Sequence, residues 1–161
     1  MSAAKDIRIS SLLKSKFIDL NFRETDKSKV LAGLVELLAV SKKLVNTKAF
    51  LKAMQEREKL GSTGIGMGVA IPHAKSDAAR DFVLVFARSD EGIDFGALDG
   101  EKTYLFFSLA SPKDEVGGHL KILSEISHLV KDKFVVDLLK KAKDAEAVLK
   151  IISRMEGRSS H

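Results

Sequence analysis

The sequence predicts a single α/β domain in which a mixed β-sheet carries helices on both faces. Two runs, Asp81–Arg88 and Thr103–Ala110, are apolar almost without interruption. Strands that do not alternate polar and apolar residues are buried on both faces, so helices must cover each side of their sheet. With 161 residues, 45% of them hydrophobic, the chain can build one core. We expect one domain over residues 1–161, with its core in about 7–156 and frayed termini.

A short helical turn and a strand are predicted near the start of the chain. Ser10–Leu13 can form the turn. Ile18, Leu20 and Phe22 alternate with other residues, which predicts a strand with one buried face.

Two helices should follow, each with apolar residues at helical spacing. Each begins at a side chain that can accept hydrogen bonds from the first free backbone N–H groups. The candidate caps are Thr25 or Asp26 for a helix to about Val40, and Asn46 or Thr47 for a helix over about 47–59.

Turn signals separate the two apolar runs, at Asp90–Gly92 and Asp99–Gly100. Beyond the second run, Ser111–Asp114 offers a capping hydroxyl, a proline at the first helical position and an acid in the first turn. This pattern predicts the start of a helix that reaches about Val130. Further helices are predicted at Phe134–Ala142 and Ala145–Met155, with fraying from Gly157.

The stretch Gly61–His73 contains four glycines within eight residues and ends on Pro-His. It is either a long loop between a helix and a strand, or a backbone cradle that presents His73 to a charged group. A P-loop is excluded, because Lys-Ser/Thr does not follow Gly66, and the dinucleotide fingerprint fails at Val69. His73 and Asp77 lack a third metal ligand at plausible spacing, so we expect neither a metal nor a cofactor.

A nucleophilic histidine remains, with a purely structural histidine as the alternative. Neutral imidazole can carry a transferable group as a covalent intermediate. Pro72 restricts the backbone beside His73, which helps to fix the direction of its ring. Donors for phosphoryl oxygens are available from the glycine-rich backbone and two hydroxyls. The candidate donors are Ser62, Thr63, Gly64 and Gly66.

Helical spacing turns two more polar residues toward the interior. Arg57 continues the stripe of Phe50 and Met54, and could offer a bidentate fork to a phosphate. The alternative for Arg57 is a last-turn cation that interacts with the helix dipole. His119 shares a stripe with apolar residues and should point inward, whereas His128 should face solvent.

Charge and composition weigh against other classes of protein. The formal net charge is +5, but residues 61–112 carry 4 Lys and Arg against 7 Asp and Glu. Lysines elsewhere alternate with acids, and the chain has no Trp and one Tyr, so nucleic-acid binding is disfavoured. Without cysteine or an apolar segment of about 20 residues, we expect a cytoplasmic protein with no membrane insertion.

The segment Arg57–His73 closely resembles the signature of the fructose/mannitol-type IIA components of the bacterial phosphoenolpyruvate phosphotransferase system. This family includes the nitrogen-regulatory IIA proteins (PtsN type). The motif Gly-Ser-Thr-Gly-Ile-Gly favours a resemblance to this branch. The resemblance extends to His119-Leu120 at a helix start and covers essentially the whole chain. Many members carry glycine directly after the acceptor histidine, where this chain has Ala74.

The resemblance implies a compact mixed-sheet fold and a phosphocarrier function. His73 would accept a phosphoryl group from a histidine-phosphorylated HPr/NPr-like carrier, Arg57 would help to hold it, and His119 would be the second active-site histidine. Any IIB partner must be a separate polypeptide, because this chain has no cysteine. In the nitrogen-regulatory branch, the phosphorylation state would control binding to regulated target proteins. The alternatives are a stand-alone fructose/mannitol-type IIA component that passes the phosphoryl group to IIB for sugar uptake, and a non-catalytic regulatory binding module.

Overall fold

Two long antiparallel strands, β5 (Val83–Ile93) and β6 (Thr103–Pro112), form the centre of a six-stranded sheet. The structure, a computed structural model, describes residues 7–159 and the side chains of 7–156. Residues 83–87 and 105–110 are all buried, which confirms that both apolar runs are strands covered on two faces. The fraying expected at residues 1–6 and 160–161 lies outside the described residues.

The sheet is mixed, as the sequence predicts. On one side of the central pair, β1 runs parallel to β5. On the other side, β3 and β4 run parallel to β6, and β2 forms an antiparallel edge against β3. In chain order, these strands are β1 (Ile18–Asp19), β2 (Gly64–Gly66), β3 (Val69–Ala70) and β4 (His73–Ser76).

Strands β3 and β4 are two halves of one strand, because they keep the same register against β6. The interruption falls at Pro72, which has no N–H to donate to the ladder. The Pro72 carbonyl accepts hydrogen bonds from the backbone N–H of Leu109, at 3.1 Å, and from Ser108 Oγ, at 2.9 Å. The chain resumes its pairing at His73, opposite Leu109.

The second half of the glycine-rich stretch is a β-hairpin, so the expectation of a long loop is wrong there. Strands β2 and β3 are joined by Met67-Gly68, whose φ angles are 59° and 82°. Positive φ at both residues is typical of the tight turns that match the twist of paired strands.

Two groups of helices cover the sheet. Helices α2 and α3 pack on each other, whereas α1, α4, α5 and α6 pack among themselves. Both groups contact the doubly buried central strands, so they lie on opposite faces. None of the helices within residues 7–159 is long and apolar enough to cross a membrane. The helices are α1 (Ile9–Leu12), α2 (Lys27–Ala39), α3 (Thr47–Lys59), α4 (Val116–Val130), α5 (Lys133–Lys141) and α6 (Ala145–Ser159).

The predicted caps of α2 and α3 are confirmed. Asp26 accepts a hydrogen bond from the backbone N–H of Ser28, and Asn46 accepts one from Ala49. The strand predicted from Ile18 to Phe22 is too long, because pairing with β5 ends at Asp19. There the Asp19 carboxylate accepts a hydrogen bond from the N–H of Asn21, which forms a turn. The N–H of Phe22 then donates to the carbonyl of Arg88 in β5 at 3.1 Å, without restoring the strand.

The helix start predicted at Ser111 is also wrong. Ser111 and Pro112 end strand β6, opposite Lys75 and Ser76 of β4, and α4 begins at Val116. Pairing between distant segments therefore overrides the local capping pattern.

Two further local signals have different outcomes from those predicted. The turn expected at Asp90–Gly92 is an irregularity within β5, where the register against β6 shifts and Gly92 has a φ of 80°. Helix α6 continues to Ser159, so the fraying expected from Gly157 does not begin there.

Gly92 and Gly100 form a matched pair for testing the packing of this region. Both have positive φ, 80° and 73°, but a Cβ at Gly92 would lie 2.7 Å from the Tyr104 ring, whereas Gly100 faces open space. We expect Gly100→Ala to lose about 1 kcal/mol of unfolding free energy through backbone strain. Gly92→Ala should lose about 1–3 kcal/mol more through overpacking. Equal losses in urea denaturation would contradict a fixed Tyr104 ring.

Candidate phosphoryl-acceptor site

Two histidines separated in sequence meet where β4 begins and α4 begins. His73 is the first residue of β4, and His119 lies in the first turn of α4. Their ring centroids are 5.3 Å apart, with a tilt of 55° between the planes. The side chain of His119 is buried, which confirms the inward orientation predicted from helical spacing, and His128 is exposed as predicted.

The tautomer of His73 follows from its hydrogen bond. Its Nδ1 lies 2.6 Å from the backbone oxygen of Ile71. A carbonyl oxygen can only accept, so the proton of the neutral ring resides on Nδ1 and the lone pair on Nε2. The ring is half-buried. His73 therefore has a fixed ring and an unprotonated nitrogen, which are the requirements for a nucleophilic histidine.

His119 is fixed by a hydroxyl from the end of β6. Its Nδ1 lies 2.7 Å from Ser111 Oγ, and both side chains are buried. Because a hydroxyl can donate or accept, this contact orients the ring in either tautomer. Ser111 has this position because β6 extends to Pro112, so the residue that sequence patterns assign to a helix cap instead supports the site.

Both histidines are held neutral near pH 7. Burial lowers the pKa of His73, and the Arg57 cation lowers it further, against the opposing effects of the Ile71 hydrogen bond and the Glu58 carboxylate. Burial, followed by the proximity of His73 and Lys75, lowers the pKa of His119 to about 4. Two neutral imidazoles can lie side by side without the repulsion that two imidazolium ions would experience.

The structure gives Arg57 features of both predicted roles, a cation at the helix end and a cation near the site. Its Nη1 donates a hydrogen bond to the carbonyl oxygen of Gly61, at 2.9 Å, just beyond the end of α3. Its charge also acts on His73. The guanidinium thus shapes the turn after α3 and contributes positive potential at the histidine pair.

The hydroxyls of the glycine-rich stretch are engaged within the fold. Ser62 Oγ donates to the carbonyl of Phe95 at 3.1 Å and accepts from the N–H of Gly64 at 3.0 Å. The N–H and the hydroxyl of Thr63 both donate to the Glu58 carboxylate. The structure therefore shows these three sequence-predicted donors bonded to other parts of the protein.

Gly66 lies farther from the histidine pair. It pairs with Val69, four residues before His73, which corresponds to roughly 13 Å along an extended strand. The structure brings together His73, His119 and Arg57. Gly64 and Gly66 instead belong to strand β2 of the neighbouring hairpin.

Sequence reasoning missed three residues near the site: Glu58, Lys75 and Ser111. Glu58 follows Phe50 and Met54 at intervals of four residues and is buried like them. The spacing that turned Arg57 inward could therefore have identified it. Lys75 and Ser111 carry no comparable local signal, because they reach the site through the pairing of β4 with β6.

A cavity of about 330 Å³ lies elsewhere, beside the Met67-Gly68 turn and Tyr104. Tyr104 is five residues before Leu109, the β6 residue opposite His73, so this cavity is at another part of the sheet. Its lining mixes both signs of charge, with three lysines and two carboxylates: Glu101, Lys102, Lys133, Asp137 and Lys140.

A fixed, neutral histidine with a free ring nitrogen can accept a transferable group, and comparison with known proteins gives the family of the chain. Residues 11–155 match the family described as phosphoenolpyruvate-dependent sugar phosphotransferase system, EIIA 2. The chain belongs to this family of phosphocarriers, which confirms the resemblance noted in Arg57–His73.

Individual relatives carry two kinds of name. The chain is 37% identical over 123 residues to a nitrogen regulatory protein of Bradyrhizobium diazoefficiens, covering 75% of this chain and 80% of the relative. It is 34% identical over 148 residues to the fructose-specific EIIABC component of Bacillus subtilis, covering 92% of this chain but 23% of that longer protein.

A solved structure shares the fold. The nitrogen regulatory protein IIA-Ntr of Neisseria meningitidis superposes with a TM-score of 0.84 at 30% identity, covering 89% of this chain and 98% of that one. This agreement confirms the predicted mixed-sheet α/β fold.

The lowered pKa of His119 should make the folded state sensitive to acid. An ordinary histidine has a pKa of 6.5, whereas the folded protein holds His119 at about 4. Between these values the unfolded chain binds more protons, so the free energy of unfolding falls as the pH drops. The slope from this residue reaches about 1.4 kcal/mol per pH unit.

In His119→Gln, whose amide can still bond to Ser111, urea unfolding between pH 6.5 and 4 should show a shallower dependence on pH. The contribution of His73 remains in both proteins. The same slope in both would mean that His119 titrates alike in the folded and unfolded states.

Proposed function

We propose that this chain accepts a phosphoryl group on Nε2 of His73 from an HPr/NPr-like carrier and that the phosphorylation state serves nitrogen-related (PtsN-type) regulation. The observation that carries the proposal is the hydrogen bond from His73 Nδ1 to Ile71, which leaves Nε2 as the nucleophile. Family membership supports phosphoryl transfer as the chemistry.

The transfer balances without an added base. The bond between phosphorus and the protonated donor imidazole breaks, and that ring leaves with the electron pair. A new bond forms between phosphorus and His73 Nε2, while His73 keeps its proton on Nδ1. The acceptor ring therefore gains the positive charge that the donor ring loses.

The surrounding groups have roles that fit this step. Arg57 can turn its second guanidinium nitrogen toward the phosphoryl oxygens while it remains near Gly61. If Ser111 donates to Nδ1 of His119, the proton of that ring lies on Nε2 and can be donated to a phosphoryl oxygen. The arriving negative charge favours the protonated form of His119 and raises its pKa from the value in the free protein.

Exposed apolar side chains beside the site support a protein as the donor. Leu60 follows α3 three residues after Arg57 and is 85% exposed, and Leu120 directly follows His119 and is 59% exposed. Apolar groups of this size on a surface are typical of contacts between proteins. A phosphate on His73 would add about two negative charges there, which is sufficient to change which partners bind.

A second candidate is a stand-alone fructose-type IIA component that passes the phosphoryl group to a separate IIB subunit. The 34% identity to the fructose-specific EIIABC component favours it. Both candidates share the first step, so they differ in the fate of the phosphoryl group.

The first step can be tested with the protein, radiolabelled phosphoenolpyruvate, enzyme I and HPr. We expect an acid-labile, base-stable label that is absent in His73→Ala. Arg57→Ala should be labelled about 100-fold more slowly, the loss typical of removing one donor to a transferring group. Arg154→Ala, in the exposed part of α6, is the matched control and should react at the wild-type rate.

An unlabelled wild-type protein would favour the non-catalytic binding module. Label on His73→Ala would show that the acceptor is another residue.

The fate of the group can be tested by adding a purified fructose-type IIB domain to the labelled protein. The regulatory proposal predicts that the label stays on this chain and is lost at the rate of spontaneous hydrolysis, with or without IIB. Rapid transfer to the IIB cysteine would overturn it in favour of sugar transport. A fructose-specific IIA component in the same assay shows that the IIB domain is competent.

A further inference from the structure

Glu58 is a buried carboxylate that the mechanism above leaves without a role. It lies in the last turn of α3, next to Arg57, and its side chain is 5% exposed. Burial of a carboxylate is costly unless charged and hydrogen-bonding partners compensate it. The residue is therefore placed by specific contacts.

One partner of Glu58 is a cation held on several sides. Lys27 Nζ lies 2.9 Å from Glu58 Oε2. The same ammonium donates to the carbonyl of Phe95 at 3.1 Å and lies 4.5 Å from the centre of the Phe95 ring. These contacts limit how far Lys27 can move, so the carboxylate is fixed from this side.

The other partner of Glu58 leads to the acceptor histidine. Thr63 donates both its N–H, at 3.2 Å, and its hydroxyl to the carboxylate. The carbonyl of Thr63 accepts the N–H of Ile71 at 3.0 Å, and the carbonyl of Ile71 accepts Nδ1–H of His73 at 2.6 Å. Three consecutive links therefore join Glu58 to the ring of His73.

We propose that Glu58 is a positioning residue for phosphoryl transfer: through Thr63 it fixes the Ile71 carbonyl that orients His73, and its negative charge favours the positive charge that the His73 ring gains. The inference rests on the proposed function of His73, which it deepens.

The charges around His73 support the second part of this proposal. Arg57 and Glu58 act on His73 from α3, Lys75 acts from β4, and His119 packs against it from α4. Among the groups that act on His73 in the described part of the chain, Glu58 supplies the negative charge, and it raises the pKa of the ring against burial and the cations. The interaction that favours a protonated ring also favours the charged ring of the phosphorylated product.

Glu58→Gln separates the charge from the shape, because glutamine can still accept from Thr63. We expect the pKa of His73, measured by NMR of its imidazole nitrogens, to fall below the wild-type value. Phosphoryl transfer from HPr should slow about 10-fold, the factor for one pKa unit of lost charge stabilisation. Glu56→Gln, an exposed carboxylate two residues earlier in α3, is the matched control and should change neither measurement.

Thr63→Val tests the link with the charge of Glu58 retained. It should reduce the preference of His73 for the Nδ1–H tautomer and slow the transfer, and Thr63→Ser should restore most of the loss. This pair keeps the proposal testable if Glu58→Gln does not fold.

A merely structural role would lower stability in urea while leaving the pKa, the tautomer and the transfer rate of the folded protein at wild-type values. That result would overturn the proposal. The NMR measurements need no donor protein, so they can fail or succeed independently of phosphoryl transfer to His73.

Discussion

The missing N–H of Pro72 is the constraint on which the site depends. It interrupts the strand that would otherwise run unbroken along β6, immediately before His73. Within that interruption, the Pro72 carbonyl binds Ser108 and Leu109, while the preceding carbonyl of Ile71 is left to bind the His73 ring.

The sheet brings the remaining groups to this interruption from two directions. Strand β6 ends at the same level as β4, so Ser111 lies under α4 and fixes His119. Earlier in the chain, α3 ends just before the β2–β3 hairpin and contributes Arg57 and Glu58. Rigid elements hold each group, which limits the reorganisation needed when the phosphoryl group arrives.

Local sequence patterns correctly predicted the helices and strands that are determined by residues within a single segment. Helical periodicity predicted α2, α3 and the inward orientation of His119, and continuous apolar runs predicted the two doubly buried strands. Local patterns failed where partners distant in sequence decide the structure: Ser111 carries a helix-capping pattern but extends β6, and Asp19 ends a strand that alternation would continue. The glycine-rich stretch shows the same effect, since the β3 strand of its hairpin pairs with β6, which is distant in sequence.

In the proposed transfer to His73, two electrostatic needs occur in the same step. The phosphoryl oxygens bring negative charge, which the Arg57 and Lys75 cations favour, whereas the His73 ring becomes positive as its new bond forms. Cations alone would stabilise the phosphoryl group and oppose the positive charge on the ring, and both of them lower the pKa of His73. In the proposed role of Glu58, its buried carboxylate counters this opposition, because it raises the pKa of His73 while Lys27 and Thr63 hold it in place.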